Sequence, residues 1–332
     1  MFFRLKWFSR REAKKQVAMA LNTLGYTGLS VSKLCFGTLT VGPHQKDFPP
    51  EAAADLFCQA FQLGVNFFDT AEIYGTYSQL APALRRFPEM IIASRSYAVT
   101  ASEMRDSIEK ARKELDRDYI DLFGLHEVEN AAALKGHREA LDYLSRAKAD
   151  GIIKAVMIST HTVAGVRAGA TEPAVDVIHP LINRDGFGIR GGSVADMVAA
   201  IRTAREFGKG IYGMKVLAGG HLINNAPAAF AFINELNCMD AVAVGMQTLA
   251  EVKMNLALLA GLPPPPDLES QISREERRLR IAGWCQGCGR CVVKCSFNAL
   301  TLVNGRVEVD LSKCVRCGYC ARVCPEFCLK IC

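Results

Sequence analysis

The sequence predicts an α/β fold, a (β/α)8 TIM barrel, followed by a small C-terminal domain. Eight apolar, strand-like runs alternate with helix-length amphipathic stretches over about 230 residues. No strand is followed by a G-x-G-x-x-G phosphate loop, which disfavours the alternative, an open doubly wound sheet. Four consecutive prolines at 263–266 then separate these elements from a cysteine-rich tail.

Each barrel element is predicted from its apolar pattern and its length. The strands are expected at 33–37, 66–69, 90–94, 120–126, 153–159, 174–179, 210–214 and 241–244. Helical patterns fall between them, the clearest at 101–116, 131–149, 193–207 and 248–259. The four prolines must be extended, and the charged segment 270–281 behind them predicts a short connecting helix.

Composition and these breaks divide the chain into four expected segments. They are an N-terminal extension (1–18), the barrel (19–262), a linker with a connecting helix (263–282) and a tail domain (283–332). With 50% hydrophobic and 22% charged residues, a large core is available. No stretch approaches the roughly 20 apolar residues that span a bilayer. The net charge of +6 is too mild to indicate nucleic-acid binding, and we expect a cytoplasmic protein.

The N-terminal extension is basic and aromatic but has no apolar region or cleavage site typical of a secretory signal. Its aromatic side chains beside Arg and Lys are compatible with an interfacial helix. An accessory helix, or a start codon upstream of the one at Met19, is the more common explanation for such an extension. We therefore expect no membrane contact.

The tail contains the same cysteine spacing twice, C-x2-C-x2-C-x3-C, and Pro325 follows the second copy. Three closely spaced thiolates bind one iron–sulfur cube, while the fourth points to the neighbouring cube. This predicts two [4Fe–4S] clusters. The first has the ligands Cys285, Cys288, Cys291 and Cys324, and the second has Cys295, Cys314, Cys317 and Cys320.

Two other interpretations of the cysteines are weaker. Zinc needs only four ligands, at wider separation, and disulfides need an oxidising compartment. From about residue 283 onward the tail resembles the bacterial two-cluster ferredoxins, which implies a small α+β ferredoxin-like domain. The remaining five cysteines are expected to be buried hydrophobes or idle tail thiols: Cys35, Cys58, Cys238, Cys328 and Cys332.

Three consecutive predicted strands end in polar side chains. Asp69 and then Tyr74 follow the second strand, Arg95 ends the third, and His126 ends the fourth. Active sites of such barrels form at the carboxyl ends of the strands, so we expect these side chains to meet at one mouth.

The same region resembles the aldo-keto reductase family over about residues 21–260. The motifs that carry the resemblance are L-G-Y-T-G at 24–28, F-G-T at 36–38, F-D-T-A-x-x-Y-G at 68–75 and D-x4-H at 121–126. The resemblance implies that a carbonyl accepts a hydride on carbon and a proton on oxygen from Tyr74. Asp69 and His126 match the family, whereas Arg95 stands in place of its lysine. Arginine keeps the charge but cannot relay a proton.

The family also implies a nicotinamide dinucleotide across the mouth. By resemblance, Ser159 and Asn183 lie where the nicotinamide amide is held, and Lys215 and Gly245 lie in the loops after the last two strands. Where NADPH-dependent members place basic residues for the 2′-phosphate, this chain has Met246 and Glu251. This favours NAD(H), or no dinucleotide at all, over NADP(H).

Together the two parts predict an iron–sulfur oxidoreductase that reduces a carbonyl or related small molecule. The alternative is an electron-transfer or binding module whose barrel has lost carbonyl chemistry, which the exchange of lysine for Arg95 favours. The tail has seven basic and three acidic side chains before its clusters are counted. We therefore expect docking of an acidic electron carrier such as a ferredoxin.

Overall fold

The computed structural model describes residues 21–272, 278–295, 297–314 and 319–331. The predicted N-terminal extension and the predicted ligand Cys317 lie outside these residues. In the described part of the chain, no helix is long and apolar enough to cross a membrane.

A short antiparallel hairpin that the sequence did not predict precedes the barrel. Its strands are β1 (Leu21–Thr23) and β2 (Ser30–Ser32). Leu24 and Val31 are fully buried beside residues of the barrel interior. Gly25 adopts a left-handed φ of 51°, and a Cβ there would lie 2.2 Å from the backbone of Gly210. The hairpin therefore closes the amino end of the barrel, because Gly210 begins a barrel strand.

Eight parallel strands form a closed barrel, which confirms the predicted fold. They are β3 (Leu34–Gly37), β4 (Phe67–Asp69), β5 (Ile91–Ser96), β6 (Ile120–Leu125), β7 (Ile153–Thr160), β8 (Val177–Pro180), β9 (Gly210–Met214) and β10 (Ala241–Gly245). Neighbours in sequence pair with each other, and β10 pairs with β3 to close the ring. All eight overlap the predicted strands.

Helices surround the barrel and bury their apolar faces against it. They are α1 (Pro50–Gln62), α2 (Tyr77–Arg86), α3 (Ala101–Leu115), α4 (Ala131–Gly136), α5 (Arg138–Ala149), α6 (Val163–Thr171), α7 (Val194–Glu206), α8 (Ala226–Leu236), α9 (Leu249–Leu259) and α10 (Pro266–Ile272). Thr100 and Glu103 form a capping box that fixes the start of α3.

The single helix predicted over 131–149 is interrupted at His137. There the imidazole Nδ1 lies 2.9 Å from the carbonyl oxygen of Ala98, and the N–H of Ala140 donates to Val99. These bonds to the loop after β5 replace helical ones and separate α4 from α5. The break is therefore imposed by a tertiary contact.

The tail is a small domain of short elements. They are β11 (Leu279–Ile281), α11 (Arg290–Lys294), β12 (Leu300–Val303), β13 (Arg306–Val309), α12 (Tyr319–Arg322) and β14 (Leu329–Ile331). Two antiparallel pairs, β11 with β14 and β12 with β13, enclose a separate apolar core that includes most of the cysteines.

The connecting helix predicted over 270–281 is wrong at its end. Residues 266–272 form α10, so Pro266, which was predicted to be extended with the other prolines, is instead the first residue of a helix, where its missing N–H costs nothing. Leu279–Ile281 is instead a strand, because Leu279 is buried in the tail core and the segment pairs with β14. Charge pattern alone cannot foresee a partner strand about 50 residues away.

Candidate active site and cysteine centres

The four side chains predicted to meet at the barrel mouth come from adjacent strands. Asp69 ends β4, Arg95 is the fifth residue of β5, and His126 follows β6. Tyr74 ends a short 3-10 turn, Glu72–Tyr74, that leads out of β4. Since β4, β5 and β6 are neighbours in the parallel barrel, their carboxyl ends bring the residues together.

Arg95 and Asp69 form a buried ion pair. Arg95 Nη1 donates to Asp69 Oδ1 at 2.6 Å, and Nη2 lies 3.3 Å from Oδ2. Nη1 also donates to the carbonyl oxygen of Thr70 at 2.9 Å. Burial disfavours the charged guanidinium, but the charge of Asp69 together with Tyr74 and Tyr212 outweighs it and keeps the pKa of Arg95 well above its usual value. The cation is therefore fixed in position.

Arg95 also fixes the phenol of Tyr74. Its Nη2 donates to the Tyr74 oxygen at 2.8 Å. Arginine has no acceptor atom, so the phenol oxygen accepts here and its own proton is left to point elsewhere. Burial raises the pKa of Tyr74, and Arg95 opposes that rise by favouring the phenolate. Tyr74 is thus a protonated phenol with electrostatic support for losing its proton.

His126 lies between two aromatic rings at the mouth. Its imidazole is 5.9 Å from the Tyr74 ring in a T-shaped contact and stacks on Tyr97 at 4.5 Å. Burial, together with the charges of Arg95 and Lys215, lowers the pKa of His126 well below its usual value. Its buried Nδ1 has no hydrogen-bond partner among the described residues. A neutral imidazole can donate one N–H to a substrate oxygen at the mouth.

Two further residues belong to this network and were missed from the sequence. Tyr212 donates to Asp69 Oδ1 at 3.1 Å, so the carboxylate accepts bonds from both sides. His179 stacks on the Tyr212 ring at 3.9 Å, and its Nε2 lies 3.8 Å from Asp69 Oδ1. No local motif in the sequence marks His179 as a site residue. Its position in a strand beside the one carrying Tyr212 was the available signal.

The side chains predicted to hold a nicotinamide already have partners. Ser159 Oγ accepts the N–H of Glu127 at 2.9 Å. Asn183 uses both ends of its amide on Phe187, accepting from its N–H and donating to its carbonyl, each at 2.9 Å. Their role in dinucleotide binding stays a prediction.

The predicted contacts after the last strand are also occupied. A Cβ at Gly245 would lie 2.2 Å from Thr40, so that loop is closely packed. At the start of α9, Glu251 accepts the N–H of Gln247 at 2.6 Å, and Glu251 N–H donates to Thr248. A carboxylate therefore occupies the helix N-terminus that a pyrophosphate would need.

Lys215 follows β9 and lies beside His161 and the tail. Its Nζ is 3.0 Å from His161 Nε2 and 3.6 Å from the centre of the Phe327 ring. Burial, with a contribution from Lys330, lowers the pKa of Lys215 to about 7. Burial also lowers the pKa of His161 well below its usual value. The predicted cofactor contact is thus part of an interface with the tail domain.

Three cysteines of the first predicted ligand set, Cys285, Cys291 and Cys324, lie in the tail core, whereas Cys288 is exposed. Burial raises the pKa of the Cys291 thiol, and the nearby Cys324 and Cys285 raise it further. Hydrogen bonding from Cys328 lowers the pKa of Cys324, which favours the thiolate that a metal requires. The set fits an iron–sulfur cluster, in which Cys328 would support Cys324 without binding iron.

The fourth cysteine of each repeat has the same local geometry. Cys295 Sγ accepts the N–H of Ala299 at 3.4 Å, and Cys324 Sγ accepts the N–H of Cys328 at 3.2 Å. In both repeats the donor lies four residues after the sulfur, and such bonds stabilise a thiolate. No disulfide joins any of the eleven described cysteines. In the described part, no three ligand side chains converge as around a single metal ion.

Comparison with known proteins decides the family of the barrel. The Aldo/keto reductase family model matches residues 33–227, more than half of the chain. The chain belongs to the aldo/keto reductase family. A second model, the 4Fe-4S dicluster domain, matches residues 284–328. Both resemblances inferred from the sequence are confirmed.

Individual relatives of this aldo/keto reductase match either the barrel or the tail. L-galactose dehydrogenase from Arabidopsis thaliana is 25% identical over 227 residues, which cover 62% of this chain and 68% of that protein. Probable aldo-keto reductase 1 from Glycine max is 30% identical over 182 residues, covering 49% and 52%. Formate hydrogenlyase subunit 2 from Escherichia coli is 34% identical over 65 residues, covering 20% and 32%.

Solved structures resemble the barrel. A putative aldo-keto reductase from Pseudomonas aeruginosa has a TM-score of 0.64 and 28% identity, covering 74% of this chain and 96% of its own. An aldo-keto reductase from Bacillus halodurans has a TM-score of 0.60 at 18% identity, which shows the fold alone. This aldo/keto reductase is therefore an iron–sulfur oxidoreductase with a barrel and a 4Fe-4S tail.

Proposed function

We propose that this aldo/keto reductase reduces a carbonyl or related small molecule, with Tyr74 as proton donor and electrons exchanged through two [4Fe–4S] clusters. The observation that carries the proposal is the pair of bonds from Arg95 Nη2 and Nη1 to Tyr74 and Asp69, at 2.8 and 2.6 Å. They fix the phenol and supply the positive charge that its conjugate base needs.

In this mechanism the barrel residues bind, orient and protonate the substrate. Neutral His126 donates an N–H to the carbonyl oxygen and holds it beside the Tyr74 hydroxyl. Tyr74 donates its proton to that oxygen, and the fixed cation of Arg95 stabilises the phenolate that is left. Because Arg95 stays protonated, Tyr74 recovers its proton from solvent at the mouth and not through the arginine.

The cysteines would hold the two clusters as the repeat predicts, with Cys285, Cys288, Cys291 and Cys324 in one set and Cys295, Cys314, Cys317 and Cys320 in the other. Each bound cluster supplies one electron at a time. The proposal further includes a cytoplasmic location and an acidic electron carrier as partner.

The second candidate is an electron-transfer module without carbonyl chemistry. It is favoured by the partners that already occupy Asn183 and the N-terminus of α9, because these are two of the contacts predicted for a hydride-donating dinucleotide. The complete Asp69, Tyr74 and His126 set argues against it.

A carbonyl panel separates the two candidates. Anaerobically prepared protein with about eight iron and eight sulfide atoms per chain is chemically reduced and mixed with aldehydes and ketones. We expect alcohol formation, lowered about a hundredfold or more by Tyr74→Phe. Tyr26→Phe, at a phenol 88% exposed at the amino end of the barrel, is the matched control. Wild-type turnover in the Tyr74 variant, or no alcohol from any carbonyl, would contradict the proposal.

A further inference from the structure

One tail side chain enters the mouth of the barrel. Phe327 is only 7% exposed and packs with Leu181 and Met214, which lie at the carboxyl ends of β8 and β9. A Cβ at Gly188 would lie 1.9 Å from the Phe327 ring, and one at Gly219 would lie 3.2 Å from it. The two glycines thus leave the space that the ring fills.

The contact between Phe327 and Lys215 is made by two strained residues. Phe327 has a φ of 50° and Lys215 a φ of 59°, in the left-handed region that residues with a Cβ avoid. Such strain persists only where surrounding structure imposes it, and it clusters at functional sites. Here it brings the Lys215 ammonium to 3.6 Å from the ring centre, a cation–π contact across the domain boundary.

Phe327 connects a predicted cluster ligand with the active-site mouth. It lies three residues after Cys324, in the turn closed by the bond from Cys328 N–H to Cys324 Sγ. On its other side, its ring centre is 5.8 Å from that of His161, which contacts Lys215. Lys215 in turn lies close enough to His126 to influence its charge.

This arrangement occupies the loops that would otherwise receive a dinucleotide. Lys215 contacts Phe327, Asn183 holds Phe187, and Glu251 accepts the N–H of Gln247 at the start of α9. Reduction of a substrate still requires a source of electrons. The tail domain, with its predicted clusters, is the source that the chain itself carries.

We propose that Phe327 is a positioning residue that holds the Cys324 cluster over the barrel mouth, so that this cluster, and not a bound dinucleotide, exchanges electrons with the substrate. This inference rests on the proposed function. Reduction of a carbonyl to an alcohol takes two electrons and two protons. The two clusters provide one electron each, Tyr74 provides one proton and solvent provides the other.

The test compares Phe327→Ala with Phe297→Ala, a matched change at a tail phenylalanine that is 47% exposed. Iron and sulfide content and reduction by dithionite should be unchanged in both holoproteins. In Phe327→Ala, amide hydrogen exchange should rise in residues 186–190 and 215–220. Reoxidation of the reduced clusters by a carbonyl should slow about tenfold to a hundredfold, as expected for lost positioning. Lys215→Met, which removes the cation but keeps an apolar chain, should give a smaller effect of the same kind.

A fluorescence titration with NADH completes the test, and wild-type holoprotein should show no saturable binding. Saturable binding with bleaching of the clusters would overturn the inference. So would wild-type exchange and reoxidation rates in Phe327→Ala. If no carbonyl reoxidises the wild-type clusters, the proposed function fails and electron delivery fails with it. Hydrogen exchange still decides separately whether Phe327 docks the tail.

Discussion

At the scale of single residues, Arg95 distinguishes this barrel from the lysine pattern of its family. A guanidinium offers donors in a fixed plane. Here its two terminal nitrogens donate to Asp69, Thr70 and Tyr74 together. A lysine has a single nitrogen and can also give up its proton. With arginine at this position, the site loses a side chain that can relay a proton and gains a cation held in a fixed geometry.

Two substitutions of Arg95 should distinguish how much its charge and how much its geometry contribute to stability. Arg95→Met leaves Asp69 as a buried carboxylate without its cation, and we expect a loss of about 3–5 kcal/mol in the free energy of unfolding. Arg95→Lys keeps the charge and should lose less than half as much. Urea denaturation of the two variants measures the difference. Equal losses would show that the ion pair does not stabilise the barrel.

His179, which is buried beside Asp69, predicts that the stability of the protein depends on pH. Burial lowers the pKa of His179 to about 4, although Asp69 opposes the shift. Between about pH 6.5 and pH 4, the unfolded chain binds a proton that the folded chain excludes, so stability falls as the pH falls. From pH 7 to pH 5 the expected loss from His179 is about 2 kcal/mol.

Comparison with His179→Gln isolates this contribution. The variant loses the stack on Tyr212 and should be less stable than the wild type at pH 7, but the difference should shrink at pH 5. His126 and His161 add to the slope in both proteins, since burial lowers each pKa. A difference that stays constant between pH 7 and pH 5 would refute the buried neutral state of His179.

At the scale of elements, the spacing of neighbouring strands depends on particular glycines. Gly124 in β6 faces β7, and a Cβ there would lie 1.6 Å from the carbonyl oxygen of Met157. Because the carbonyl oxygen belongs to the backbone and a Cβ is itself bonded directly to the backbone, the clash can be relieved only if the strands separate. The β6–β7 pair carries Asp121 at its amino end and leads into His126, so its register affects the site.

Gly124→Ala should therefore strongly destabilise the barrel, by several kcal/mol or to the point of misfolding. Gly136→Ala is the matched control, because nothing lies within 4 Å of a Cβ at that position in α4. It should be neutral or stabilise by up to about 1 kcal/mol. Thermal unfolding of the two variants checks the prediction, and similar melting temperatures would contradict it.

At the scale of the whole molecule, two cores of different size are joined at the barrel mouth. The barrel and its helices share one extended apolar cluster, whereas the tail core is small and rich in cysteine. Domains with so small a core usually depend on metals or disulfides for their stability. None of the described cysteines is in a disulfide, so the clusters are expected to provide that stability.

Removal of iron should unfold the tail and spare the barrel. After anaerobic chelation we expect hydrogen-exchange protection to be lost over residues 279–331 and kept in the barrel strands. Residues 186–190 and 215–220 should also exchange faster, because Phe327 no longer covers them. Loss of protection throughout the chain, or none in the tail, would show that stability is divided differently.

Features that depend on residues close together in the chain could be predicted from the sequence alone. Alternating apolar runs predicted the barrel, strand ends predicted Asp69, Tyr74, Arg95 and His126, and cysteine spacing predicted a 4Fe-4S tail. Each pattern depends on residues close in the chain, or on the rule that parallel strands end at one face. The family and the two-part organisation follow from such patterns.

Only the tertiary structure decided which distant residues meet. Tyr212 bonds Asp69 across 143 residues of chain, β11 becomes a strand because β14 pairs with it, and Phe327 fills the space between two loop glycines. None of these contacts has a local signature, since each depends on packing between segments that are remote in sequence. The sequence by itself determined the two parts and the families to which they belong. Packing decided that the tail covers the mouth.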